Sequence, residues 1–341
     1  MQQIERLVVH VEEAIRLAER LDEPSQRLSL LLLDSAAELM LHRECEYQLW
    51  WERDDFRSLG ALLERERRTG LPPELETERQ RLESKVTSKK RRKKISSAFD
   101  SKAGFLVERR IVPEPTARAL QKLHKYRNEA YHRDLIRPAT LHAAVKIYAY
   151  LVCSLMRDIP VHSIVYTGGQ PALPPRLAKY FPDGATFDPE LQVVIAASLS
   201  ARVLSSDPAS EIPEALAAHL LDRLEALEEA LEYGADFMND LRPEAWDKES
   251  VLRLLQIGDV YKAAFATPET AMAEHAAIGL KNLARWRRGA AALAKQRDII
   301  KAFGRFAYLE DLLEPIETPA MDMVRSIDDE VDRQIEERRG G

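Results

Sequence analysis

Ile4, Leu7, Val8, Val11, Ile15 and Ala18 recur three or four residues apart, and similar spacing returns along most of this 341-residue chain. That period lays apolar side chains along one stripe of an α-helix and on neither face of a strand. Glycine is scarce, at 13 residues, while the strong helix formers Ala, Leu, Glu and Arg abound. The chain is therefore expected to be all-α. Its length suffices for two domains of ordinary size, each with a real core.

Along the chain, the first helix covers 3–20. "DEPSQ" at 22–26 interrupts the pattern, with Ser25 a candidate N-cap. A strongly apolar helix follows at 27–51. Its polar residues Asp34, Glu38 and His42 stand four apart and share one face. Three residues from one straight helix rarely enclose a metal, so this face reads as a polar seam against another helix. Gly70, Pro72 and Pro73 open a further helix that gathers nine basic residues between 79 and 94 against the single acid Glu83. Pro113 and Pro115 open a helix at 115–134, Arg137-Pro138 ends it, and 139–158 is another buried helix. Prolines and glycines cluster from 159 to 189, with one short strand expected at "HSIVY". Further helices follow at roughly 190–205, 213–233, 243–266, 268–303 and 319–338. The expected organisation is a helical bundle over 1–158, a linker over 159–189, and a C-terminal helical domain over 190–341 whose role the sequence leaves open.

Several function classes are disfavoured. The formal net charge of −6 is not that of a basic nucleic-acid coat. Two cysteines, Cys45 and Cys153, support neither a disulfide framework nor a CxxC metal site, and a reducing, cytoplasmic setting is expected. The first twenty residues are amphipathic and carry early acids, unlike a signal peptide. The longest apolar run, 147–156, is about half of a membrane span. "TGGQP" at 167–171 lacks the GK[ST] of a phosphate loop, and no G-x-S-x-G or HExxH is present. No metal or cofactor is expected.

The stretch that carries chemistry is "HKYRNEAYHRD" at 124–134. The apolar stripe of its helix runs Ala117, Leu120, Leu123, position 127, Ala130 and Tyr131. Arg127 thus occupies a leucine's place, and an arginine there needs a partner charge or a polar cavity. Asn128 and His132 share a face, and His124 extends it by a turn. Arg127 and His132 lie about 140° apart around the axis, within reach of a curled guanidinium. Arginine grips phosphoryl oxygens in bidentate fashion, and histidine moves protons near neutral pH. RNA carries its own nucleophile in the 2′-OH, so such a pair suits RNA cleavage to a 2′,3′-cyclic phosphate without metal.

"RNEAYH" resembles the Arg-x4–6-His motif of the HEPN (higher eukaryotes and prokaryotes nucleotide-binding) superfamily, which favours a polar residue, often Asn, after the Arg. The approach "FDSKAGFLVERRIVPEPTARALQKLHKYRNEAYH", the Leu-rich helix before it and the apolar helix after it are similar too, over residues 1–158. Arg118…His124, Arg137…His142 and Arg157…His162 also fit the bare spacing. Pro138 and Pro160 interrupt two of them, and Arg118 lacks the polar neighbour. The resemblance implies an all-α bundle that forms a homodimer through the motif helix. It implies a metal-independent endoribonuclease, often a toxin or antiviral-defence effector with an antitoxin or defence-system partner. Arg127 would then stabilise the phosphate, His132 act as acid and base, and Asn128 orient the substrate or its partner residues, with Asp34, Glu38 or His124 in support. Either acid would pair with Arg127 or His132. Where related toxins carry a modified Tyr two residues after the His, this chain has Asp134, which argues against control of that kind.

Lys89, Lys90, Arg91, Arg92, Lys93 and Lys94 are candidate contacts to an RNA backbone, with a solvated helix face as the plainer reading. Lys281, Arg285, Arg288, Lys295 and Trp286 could track a phosphate backbone, with an amphipathic surface helix as the favoured reading. The four tryptophans (50, 51, 246 and 286) read as core or interface residues. The alternative to an enzyme is a helical scaffold that dimerises or binds RNA or protein without cutting. There Arg127 and His132 are structural.

Overall fold

The computed structural model describes residues 2–20, 22–70, 72–132, 138–159, 173–181, 191–203, 207–241, 245–257, 266–273 and 276–340. Every regular element among them is an α-helix, so the chain is all-α. It divides into two compact units, Met1–Ser206 and Asp207–Gly341. The strand expected at "HSIVY" lies outside the described residues.

In the first unit α1 (Gln2–Ala18) packs along α2 (Glu23–Trp51). α2 is the axis of the bundle. α3 (Arg53–Thr69) and α4 (Pro73–Lys85) pack on each other, followed by α5 (Lys89–Ser97), α6 (Phe99–Glu108), α7 (Glu114–His132) and α8 (Pro138–Asp158). α2 touches α1, α5, α6, α7 and α8. A helix gripped from so many sides must be apolar almost all round, and Leu30, Leu33, Ala36, Ala37 and Leu41 of α2 are fully buried. After the short α9 (Pro175–Ala178), α10 (Leu191–Val203) packs on α1 and α8. The sequence had grouped this last helix with the C-terminal domain.

Two boundaries differ from the sequence reading for identifiable reasons. α2 starts at Glu23, capped by Asp22, whose side chain accepts from the Ser25 N–H at 2.9 Å. Pro24 therefore falls in the first turn, where its missing N–H leaves no bond unmade. The single helix expected up to residue 94 is two helices, α4 and α5. Between them Val86 is extended, and the Thr87 N–H and hydroxyl donate to the Glu52 carboxylate at 2.9 and 3.0 Å. Glu52, at the end of α2, thus takes a backbone donor that a continuous helix would have used internally. Ser88 then caps α5.

In the second unit α11 (Pro208–Leu241) packs against α12 (Lys248–Leu254), against α14 (Leu280–Leu293) and along α15 (Ile299–Gly340). α12 also packs on α13 (Pro268–Ala273). The expected helix 268–303 is thus α13, α14 and the start of α15. Fully buried Glu310 of α15 accepts from Arg223 of α11 at 2.9 Å, and Glu317 accepts from the same guanidinium at 2.8 Å. Trp246 and Trp286 are core residues here.

Candidate functional site

Asp34 sits on the face of α2 that looks toward α7 and α8, and none of its surface is exposed. A carboxylate so enclosed needs donors for both oxygens. Oδ2 accepts from Arg127 Nε at 2.7 Å, with Nη2 of the same guanidinium 2.5 Å away. Oδ1 accepts from the Tyr148 hydroxyl at 2.7 Å and faces His124 Nδ1 at 2.8 Å. A carboxylate offers only acceptors, so Nδ1 of His124 carries the proton. The His124 ring stacks on Phe99, centroids 4.2 Å apart and planes 7° apart. Three helices, α2, α7 and α8, therefore meet at one carboxylate. Burial, and then the charge and hydrogen bond of Asp34, push the Tyr148 hydroxyl well above the ordinary tyrosine range, so it remains a donor.

Arg127 occupies the apolar stripe of α7, as its spacing predicts, between buried Leu123 and the α2 surface. Its Nη1 donates to Asn128 Oδ1 at 2.7 Å. The arginine is nevertheless about 20% exposed, because it lines a groove of ≈ 270 Å³ between α2 and α7. Arg27, Leu28, Leu31 and Ala130 line the same groove. Arg27 reaches across it to donate to the carbonyl of Ala130. Two guanidinium side chains therefore border one opening whose remaining walls are mostly aliphatic. That arrangement can bind an anion with an attached apolar or flat group.

The backbone of His132 belongs to the last turn of α7, but its side chain, with that of Tyr131, lies outside the described residues, as does Asp134. Of the supporting acids, Asp34 takes Arg127 and Glu38 does not. Glu38, one turn further along α2, accepts from Lys102 of α6 at 2.9 Å. Lys102 is itself buried, and its carbonyl accepts from the Cys45 thiol at 3.7 Å. The two acids lie on one face of α2, yet they meet different helices as that face passes from α7 to α6. His42 pairs with Glu46 at 3.4 Å. Each polar residue of the seam thus meets a different partner. Among the described residues no group of three or more His, Cys, Asp or Glu side chains is placed to hold a metal ion.

The basic candidates separate into two kinds. Arg92 is anchored: it donates to Glu52 at 2.6 Å, to the Leu49 carbonyl at 3.3 Å, and its guanidinium covers the Phe56 ring at 4.2 Å. Arg91 pairs with Glu108. Lys89, Lys90, Lys93 and Lys94 are exposed. Sequence reasoning missed Tyr148, Lys102 and Arg27. Each had a signal: a tyrosine hydroxyl within the apolar run of α8, a lysine among the apolar residues of α6, and an arginine at the start of the Leu-rich stretch of α2. Trp50 and Trp51, expected in a core or interface, stand 52% and 64% exposed.

No helix among the described residues is long and apolar enough to cross a membrane. Compared with protein families, with curated proteins and with solved structures, the chain matches none.

Proposed function

We propose that the chain is a HEPN-type endoribonuclease that cuts RNA by attack of the RNA's own 2′-OH, without a metal. The observation that carries the reading is Arg127. A guanidinium stands on the packing face of a helix, fixed by a buried carboxylate, and still borders an open groove. A cation fixed in advance stabilises developing phosphoryl charge without having to reorganise during the reaction. His132 takes the proton of the 2′-OH as its oxygen attacks phosphorus. The bond from phosphorus to the 5′ oxygen breaks, and that oxygen receives a proton from the imidazolium so formed. The products are a 2′,3′-cyclic phosphate and a 5′-hydroxyl. Asn128 orients Arg127 through its side-chain carbonyl. On this reading two copies pair through α7 to bring their motifs together, and a defence-system or antitoxin protein governs the activity in a cytoplasmic setting.

The second reading, a non-cutting scaffold, is favoured by one specific feature. Both oxygens of Asp34 are occupied by three side chains of the same chain, Arg127, Tyr148 and His124, as in a purely structural polar core. Cleavage of mixed RNA in EDTA separates the two. The parent protein is expected to leave cyclic-phosphate ends, and Arg127→Ala and His132→Ala are expected to leave none while remaining folded. Parent-like cleavage by either variant excludes the proposed site. Unfolding of both variants, with no cleavage by the parent, selects the scaffold.

A further inference from the structure

The far end of α2 carries a second surface. Trp50 and Trp51 are exposed, their rings stack edge to face at 5.0 Å, and Tyr47 packs edge-on against Trp51 at 5.9 Å. Arg53 lies over the Trp50 ring at 5.5 Å. Large aromatic groups left in water in this way lose the burial that normally justifies them, so such a cluster marks a contact surface.

Beside it runs the lysine-rich helix α5. The two are joined through a rigid junction. Arg92 of α5 donates to the carbonyl of Leu49, next to Trp50. Buried Glu52, next to Trp51, accepts from Thr87, Arg92 and Arg109. Arg91 and Arg92 are thereby consumed in holding α5 in place. The four lysines have no acidic partner within ion-pair distance among the described residues, whereas Arg57, Arg67, Arg68 and Arg81 of α3 and α4 each have one. Half-exposed indoles at the end of α2 and lysines without an acidic partner on the helix anchored to it are the two elements that single-stranded nucleic acid requires: cations for phosphates, π-faces for bases. A duplex hides its bases and uses only one of them.

We infer that Trp50, Trp51 and the lysines of α5 form a binding surface for single-stranded RNA, separate from the Arg127 groove. Trp50 stands sixteen residues beyond Asp34 on the same helix, about 24 Å away at the rise of an α-helix. As a place where substrate is held, this surface rests on the ribonuclease reading. As a binding surface it does not.

The test uses the full chain carrying Arg127→Ala, so that cleavage does not interfere, and a fluorescein-labelled single-stranded RNA of about 20 nucleotides. Anisotropy titrations compare it with versions that also carry Trp50→Ala/Trp51→Ala, or Gln in place of Lys89, Lys90, Lys93 and Lys94. Loss of the tryptophans is expected to weaken binding about tenfold or more, with little change in salt dependence. Loss of the lysines is expected to weaken binding and lower the slope of log K against log salt by about 3, at roughly 0.7 per phosphate contact. Equal binding of a matched duplex, or no effect of either set, overturns the inference. So does binding only to vesicles containing phosphatidylserine, or a tryptophan variant that changes oligomeric state and leaves RNA affinity intact. RNA binding through this surface by a parent protein that never cleaves would retain the inference and defeat the ribonuclease reading.

Discussion

Arg127 and Asp34 form an ion pair that joins α7 to α2, with Nε and Nη2 of the arginine on a single carboxylate oxygen at 2.7 and 2.5 Å. The other oxygen is taken by Tyr148 and His124. The carboxylate has no contact with water, while the arginine has some. The pair is therefore asymmetric, and removal of its two members leaves different groups behind.

Asp34→Ala leaves the Tyr148 hydroxyl and most of the Arg127 guanidinium without acceptors. Breaking a buried pair from one side costs about 3 to 5 kcal/mol, and a urea titration should show a loss of that order. Arg127→Ala strips the carboxylate of its guanidinium partner, but His124 and Tyr148 still donate. A loss of the same order, about 3 to 5 kcal/mol, is expected, because the carboxylate left behind has no exposed surface. A loss under about 1 kcal/mol in either variant would show that this pair does not organise the core.

Arg127→Lys keeps the charge and loses the planar fork. An ammonium reaches one carboxylate oxygen but cannot also bond Asn128 while lining the groove. On the ribonuclease reading its cleavage rate should fall by a factor of about 100 or more, the usual cost of removing a preorganised transition-state donor. Stability should fall less than in Arg127→Ala. Cleavage near the parent rate would reduce Arg127 to a diffuse positive charge.

The placement of Arg127 was legible because a charged residue on an otherwise apolar stripe is a local contradiction, visible without any partner. The identity of its partner was not. Asp34 and Glu38 stand one turn apart on the same face of α2, and only the packing of α6 and α7 decides which acid meets which cation. Helix boundaries followed the apolar period closely for α1, α7 and α8. They failed at 86–88, where no Gly or Pro marks the break and the cause is Glu52, thirty-five residues away. The exposure of Trp50 and Trp51 was hidden for a related reason: a tryptophan's position on a helix gives its direction, not whether a neighbour covers it.

Glu52 gathers Thr87, Arg92 and Arg109 at the junction of α2, α5 and α6. Glu52→Ala should loosen α5 specifically. Hydrogen exchange is expected to speed up across Thr87–Ser97 and to stay unchanged in α1 and in the second unit. Uniform acceleration everywhere would mean that Glu52 supports the whole fold and not this junction alone.

Lys102 and Glu38 offer a comparison between breaking and replacing a pair. Glu38→Ala leaves a buried ammonium with no acid, and is expected to cost about 3 kcal/mol or more. Lys102→Met supplies a stem of similar volume and leaves Glu38, which is partly exposed, to water. That change should cost under about 1.5 kcal/mol, as volume-conserving core substitutions do. A larger loss in Lys102→Met than in Glu38→Ala, by thermal or urea unfolding, would show that the pair contributes more than it costs to bury.

Burial pushes the thiols of Cys45 and Cys153 up to about 12, and Tyr148 is raised as well, first by burial and then by Asp34. In the unfolded chain a thiol ionises near 8.5 and a phenol near 10. Above about pH 8.5 the unfolded state therefore holds fewer protons than the folded one, and stability must fall as pH rises. The thiol contribution is fully present below pH 8.5 and is lost progressively up to about 12. Unfolding free energies measured from pH 7 to 10.5 should decline in the parent, and the decline should be shallower in Cys45→Ala/Cys153→Ala, whatever that variant's absolute stability. The native thiols should also resist alkylation at pH 8 until the chain is unfolded, since both are buried and protonated. Identical slopes in parent and variant would show that the two thiols titrate alike in both states, and that the buried faces of α2 and α8 admit water.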